Sequence, residues 1–265
     1  MYNYYIFPPS YTSATLGELE GNLKTLNILT CVGDELDHFI IDDTFWETLV
    51  DGSLDMTTAL FSCLPDKQFR TSVLPKLLSK LQYHQKGYES IEDLNSIFEK
   101  MCNALWGIRF IQSNSHCLTN VEDYKVFRKK SICKIVPNDL FKHQKQIFKN
   151  IVVTQEAEKQ ILSYGTGKYY QQIIEHLIIT DGFVDDFWQT GSFNLEKLKQ
   201  CMDVSDESDS VKHNSKLSSH RYFNLPIGGV HCFLHIKFGD IRIHFYPNDS
   251  NRKIYIAYVG THLPL

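Results

Sequence analysis

The sequence predicts an α+β protein. A mostly helical N-terminal domain is expected over residues 1–123, a basic linker over 124–149, and a small C-terminal domain over 150–265 in which a strand and helices precede an antiparallel meander. Three observations lead to this. Apolar residues recur at helical spacing in Leu16–Leu29, Ser72–Tyr83 and Ile91–Trp106. Lysine and arginine thicken between Tyr124 and Lys149. From Val230 onward apolar and polar residues alternate, the period of a half-buried strand.

Composition sets the bounds. With 265 residues, 43% hydrophobic and 22% charged, the chain is an ordinary globular protein with room for one large or two ordinary domains. A net charge of −4 gives no global attraction to nucleic acid, so any such binding must come from a local basic patch. No apolar run reaches the roughly 18 residues of a membrane span. The opening MYNYYIFPPS lacks the basic-then-apolar order of a secretory signal. Seven cysteines at scattered spacings, with no CxxC pair, suit reduced thiols in a cytoplasmic protein.

In chain order, Tyr2–Phe7 is a short strand stopped by Pro8-Pro9. Thr15 is placed to cap the helix that follows. Phe39–Leu49 carries Ile40, Ile41, Phe45 and Trp46 in a pattern that fits strand and helix equally. Pro75 suits the first turn of a helix over Ser72–Tyr83, and Ser90 suits the cap of one over Ile91–Trp106. Residues 1–120 offer no paired acid and base, no phosphate loop and no metal-ligand spacing, which fits a partner-binding, sensing or substrate-holding role. In the linker, Arg128, Lys129 and Lys130 stand among aromatic residues, a combination suited to a phosphate backbone and stacked bases. A solvated charged face explains the same run equally simply. Asn150–Thr154 then forms a short strand, Thr154 caps a helix ending near Gly165, and Tyr169–Thr180 gives another. Asp181–Gln200 reads as helix plus loop, and the polar stretch Asp203–Ser219 as a surface loop.

The tail carries the candidate chemistry. More than half of the chain's 11 histidines follow residue 210. In Val230–Phe238, Cys232, Leu234 and Ile236 face one way, and His231, Phe233, His235 and Lys237 the other. After a turn at Gly239-Asp240, Ile241, Ile243 and Phe245 oppose Arg242, His244 and Tyr246. A third strand, Lys253–Gly260, ends just before His262. Such a meander would set one apolar face on a core and present imidazoles, cations and phenols on the other.

Two segments carry a family resemblance. NIVVTQEAEKQILSYG resembles the opening of the RelE/HigB-type toxin ribonucleases, where a short strand ending in Thr enters a helix. GDIRIHFY and KIYIAYVGTH are similar to the family's closing strands. The resemblance spans residues 149–265. It implies a RelE-like fold and a metal-independent endoribonuclease of the mRNA interferase type, active in a toxin–antitoxin or anti-phage defence setting. RNA, free or as ribosome-associated mRNA, is the implied substrate, and an antitoxin or activating partner would act through the N-terminal domain. Arg242 falls at the family's phosphate-binding arginine, Lys237 near its basic residues, and His262 at the basic residue after the last strand. The chain departs from the family in its acidity, its Asp203–Ser219 insertion and its histidines in place of lysines and arginines.

Metal-free RNA cleavage needs a base for the ribose 2′-OH, a cation for the crowded phosphate and an acid for the departing 5′-oxygen. Imidazole suits both proton tasks. The expected catalytic set is His244 and His262 as acid and base, Arg242 and Lys237 as phosphate stabilisers, His220 or His235 in support, and Tyr246 against base or phosphate. Lys129, Lys130, Arg128 and Arg221 are the expected RNA contacts. No cofactor and no metal is expected. Zinc on His231, His235 and His244 lacks a thiolate or carboxylate to complete it. The alternative is a non-catalytic RNA- or protein-binding module using the same cationic face.

Overall fold

The computed structural model describes residues 2–33, 35–83, 102–110 and 115–264. The chain divides into two compact units, Met1–Ser131 and Ile132–Leu265.

Unit 1 is rich in helix, as expected, but its helices are arranged with a parallel sheet of which the sequence marked only the first strand. Its strands are β1 (Tyr2–Ile6), β2 (Asp37–Ile41), β3 (Gln82–Tyr83), β4 (Cys102–Trp106) and β5 (Cys117–Leu118), in the spatial order β3-β2-β1-β4-β5. Helix α1 (Leu16–Val32) connects β1 to β2. It starts where the sequence places it, because the Thr15 side chain accepts from the Glu18 N–H while Glu18 accepts from the Thr15 N–H. Its Leu19, Leu23, Leu26 and Leu29 are buried. The ambiguous Phe39–Leu49 resolves into the end of β2 and a short helix, α2 (Asp43–Glu47). Of Ser72–Tyr83 only Leu74–Leu78 is α-helix (α3), preceded by a π-helical turn over Phe69–Val73.

Cys102–Trp106 was expected as the end of a helix and is instead a strand pairing with β1. The remainder of that expected helix, residues 91–101, lies outside the described residues. All five residues of β4 are buried. A strand covered on both faces has no alternation, so periodicity cannot separate it from a buried helix.

The expected linker is folded. Helices α4 (Val121–Ile132), α5 (Pro137–Lys142) and α6 (Gln144–Ile147) account for most of residues 124–149. Tyr124 and Phe127 of α4 belong to the core of unit 1, with ring centroids 5.2 and 6.0 Å from Tyr4. Leu140, Phe141 and Phe148 are buried, while the lysines between them point to solvent.

Unit 2 holds a mixed sheet of five strands in the order β6-β12-β11-β10-β7. Its first strand is β6 (Ile151–Val153), and the Thr154 side chain then caps α7 (Gln155–Ser163) by accepting from the Ala157 N–H. Helix α8 (Lys168–Phe187) is a single 20-residue helix that runs on past Thr180 into the stretch expected as helix plus loop. Short α9 (Leu195–Lys199), β7 (Val204–Ser205), α10 (Asp209–His213) and α11 (Ser215–Ser219) follow, so the expected surface loop at Asp203–Ser219 is structured. The meander comes last: a hairpin of β8 (Tyr222–Leu225) and β9 (Gly228–His231), then β10 (Leu234–Phe238), β11 (Ile241–Asn248) and β12 (Lys253–Gly260).

Cross-strand partners share a face. Leu234–Phe245, Ile236–Ile243 and Phe238–Ile241 form the apolar face, against which His176 of α8 stacks on Phe238 at 4.4 Å. His235–His244 and Lys237–Arg242 lie on the other. The alternation foreseen from Leu234 to Tyr246 is therefore present. Before Leu234 it fails, because the chain leaves the ladder at Cys232-Phe233 and His231 ends a separate hairpin. That hairpin packs on the polar face: Leu225, Cys232, Tyr255 and Ala257 form a buried cluster joined by Phe223, Val230 and Tyr246.

Candidate functional site

The centre of the polar face is a buried cluster of four ionisable side chains. His235 and His244 are direct cross-strand partners with ring centroids 4.9 Å apart. Glu207 arrives from the segment after β7, fixed by its own N–H donating to the Phe233 carbonyl. Ligating atoms of Glu207, His235 and His244 lie within 4.8 Å of one another. Arg221 closes the cluster, its Nε donating to Glu207 Oε1 at 2.9 Å and its Nη1 to the carbonyls of Leu217 and Pro264. Exposure is 0% for Arg221, 1% for His244, 4% for His235 and 8% for Glu207.

Each ring is held by a backbone carbonyl. His244 Nδ1 lies 3.0 Å from the Cys232 carbonyl and His235 Nδ1 3.4 Å from that of Phe233. A carbonyl only accepts, so both Nδ1 atoms carry the hydrogen and the lone pairs sit on Nε2. Neither Nε2 has a hydrogen-bond partner among the described residues. Burial lowers the pKa of His235 and pushes that of His244 down to about 4, so both rings are neutral near pH 7. Arg221 Nη2 is a buried donor without a partner among the described residues.

The structure brings together only part of the expected catalytic set. His235 and His244 meet, and Lys237 pairs with Arg242 one step along the same face. The half-buried Arg242 folds over its own turn, Nη1 donating to the Gly239 and Ile241 carbonyls at 2.9 and 2.8 Å. Tyr246 is half-buried, packed against the apolar cluster beneath the hairpin. His220 and His262 are exposed and lie outside the buried triad. His231 also falls outside it, stacked on Phe233 at 5.0 Å. The expected solvent-reachable hollow is thus a covered pocket of side chains. The cause is the β8–β9 hairpin, which occupies the face that alternation alone leaves open.

The expected RNA contacts separate too. Lys129 and Lys130 are exposed on α4. Arg128 pairs with the buried Asp37 at 2.9 Å, and Arg221 is fully buried against Glu207, so both arginines hold structure. Glu207 went unforeseen. It sits in a polar run whose only hint of order is the buried pair Val204 and Val211 on either side. Its partner Arg221 is 14 residues away, beyond any local pattern.

In unit 1 the strand order places a topological switch between β1 and β4, where open parallel sheets commonly bind ligands at the carboxyl ends of their strands. Side chains fill that point. Asn22 accepts from Tyr11 Oη and Trp106 Nε1, both at 2.9 Å, and donates to the Gly107 carbonyl. A Cβ added at Gly107 would lie 2.1 Å from Ser10 Oγ.

No family model, curated protein or solved structure matches the chain. No helix among the described residues is long and apolar enough to cross a membrane.

Proposed function

We propose that unit 2 is a cytoplasmic endoribonuclease, a toxin or anti-phage defence effector that cleaves RNA by imidazole proton transfer with phosphate stabilisation by Lys237 and Arg242. The supporting observation is the pairing of His235 with His244 at 4.9 Å, with Lys237 and Arg242 as the neighbouring cross-strand pair on the same face. Two proton-transfer groups and two cations thus fall within one step of a ladder, the spacing a single phosphodiester requires. Neutral rings with Nε2 lone pairs are ready to accept the 2′-OH proton. An incoming phosphate anion raises the pKa of the ring that must act as acid. The resemblance of the strand–helix opening and the closing strands to the RelE/HigB-type toxins supports the same reading. Substrate reaches the rings when the segment from Arg221 to Phe233 moves aside. Unit 1 is then the place for an antitoxin or activating partner.

Burial of both rings favours a second reading, a non-catalytic RNA- or protein-binding module. Expression in a bacterial host separates the two. Cleavage predicts growth arrest by the unmodified chain and relief by His244→Ala and Arg242→Ala. Arrest of equal strength by all three removes the nuclease reading.

A further inference from the structure

We propose that Glu207, His235 and His244 hold one transition-metal ion of the zinc class. Sequence alone leaves this site incomplete, because His235 and His244 lack a carboxylate until the fold brings Glu207 to them across β7, β10 and β11. Two imidazoles and one carboxylate are a common zinc donor set, with a fourth position left for water.

Four features of the cluster fit an ion. Each ring keeps one nitrogen, Nε2, without a hydrogen-bond partner among the described residues while Nδ1 rests on the Cys232 or Phe233 carbonyl. Because His235 Nδ1 is the nitrogen 4.0 Å from Glu207 Oε1, the His235 ring turns to present its lone pair to an ion. The carboxylate is oriented by Arg221 through Oε1, and Oε2 makes no hydrogen bond among the described residues. Arg221 Nη2 is a buried donor with no acceptor among the described residues, and a metal-bound water or hydroxide supplies one. The backbone is also tied down: Cys232 N–H donates to the Arg221 carbonyl and Glu207 N–H to that of Phe233. Ligand atoms on one tetrahedral ion sit about 3.3 Å apart, so a triad within 4.8 Å closes by side-chain rotation without refolding.

The consequence rests on the proposed nuclease: a bound ion takes one lone pair from each ring, so occupied protein is silent and chelation releases it. Metal binding itself does not depend on RNA cleavage, and its test uses no RNA. The full chain is stripped with chelator and titrated with Zn²⁺ against a chromogenic competitor. The expected result is one ion per chain, with affinity at least tenfold weaker in Glu207→Gln and His244→Ala and unchanged in Lys197→Ala on α9. Because Glu207→Gln disturbs a buried ion pair, His235→Asn is the second ligand variant, and melting curves of the metal-free proteins show which variants are folded. Absence of stoichiometric binding, or equal affinity in the unmodified chain and every folded ligand variant, overturns the site. If the metal site holds and labelled RNA is cut only when Zn²⁺ is present, the silencing role is overturned while the ion remains.

Discussion

The two units treat buried polar groups in opposite ways. In unit 1 the buried Asp37 carboxylate accepts from Tyr4, Tyr124 and Arg128, and Asn22 uses both ends of its amide. Such networks fix a core, and around them Tyr2 Oη is the buried hydroxyl that lacks a partner among the described residues of unit 1. In unit 2 the buried cluster is unfinished: two imidazole lone pairs and one guanidinium donor lack partners among the described residues. Of these, the fully buried Arg221 Nη2 is the one that costs stability outright, typically about 1–3 kcal/mol. The difference is one of kind: unit 2 gathers four buried ionisable groups, Glu207, Arg221, His235 and His244, in one place, and the proposed site rests on that gathering.

Breaking the Arg221–Glu207 pair gives the largest expected effect. Arg221→Ala leaves a buried carboxylate uncompensated and is expected to cost about 3–5 kcal/mol, read as lost hydrogen-exchange protection across β10–β12. Arg128→Ala in unit 1 removes a partly exposed partner from an Asp37 that keeps two tyrosine donors, so a smaller loss of about 1–2 kcal/mol is expected, confined to unit 1. Equal losses from the two substitutions would erase the contrast.

Acid gives the next effect. In the folded metal-free protein the His244 pKa is about 4, below the ordinary value of 6.5. Between those values the unfolded chain binds more protons, so stability falls as pH drops from about 6.5 towards 4, by about 3 kcal/mol in total. Denaturant titration with chelator present, comparing the unmodified chain with His244→Asn, isolates this slope, and a slope retained in the variant would assign it elsewhere. Smaller still, Thr154→Ala removes the cap of α7 and is expected to cost about 1 kcal/mol, read by the same exchange measurement on unit 2.

Legibility in the sequence follows sheet type. The antiparallel strands β10 and β11 have one face on the core, so their alternation identified Leu234–Tyr246 and the facing of His235, Lys237, Arg242 and His244. The parallel strand β4 is buried throughout and carries no such mark, and Cys102–Trp106 was read as helix. Caps at Thr15 and Thr154 are local chemistry and were legible. Glu207 and Arg221 join through tertiary contact alone, and the packing of the β8–β9 hairpin is also non-local. These two features turned an expected open face into a buried centre.

Incubating labelled RNA with the full chain, with and without chelator, tests the central claim most directly. The account predicts cleavage by the metal-free protein that is abolished in His244→Ala and His235→Ala. RNA left intact by the unmodified chain under both conditions, or cut equally well by folded His244→Ala protein, would contradict it.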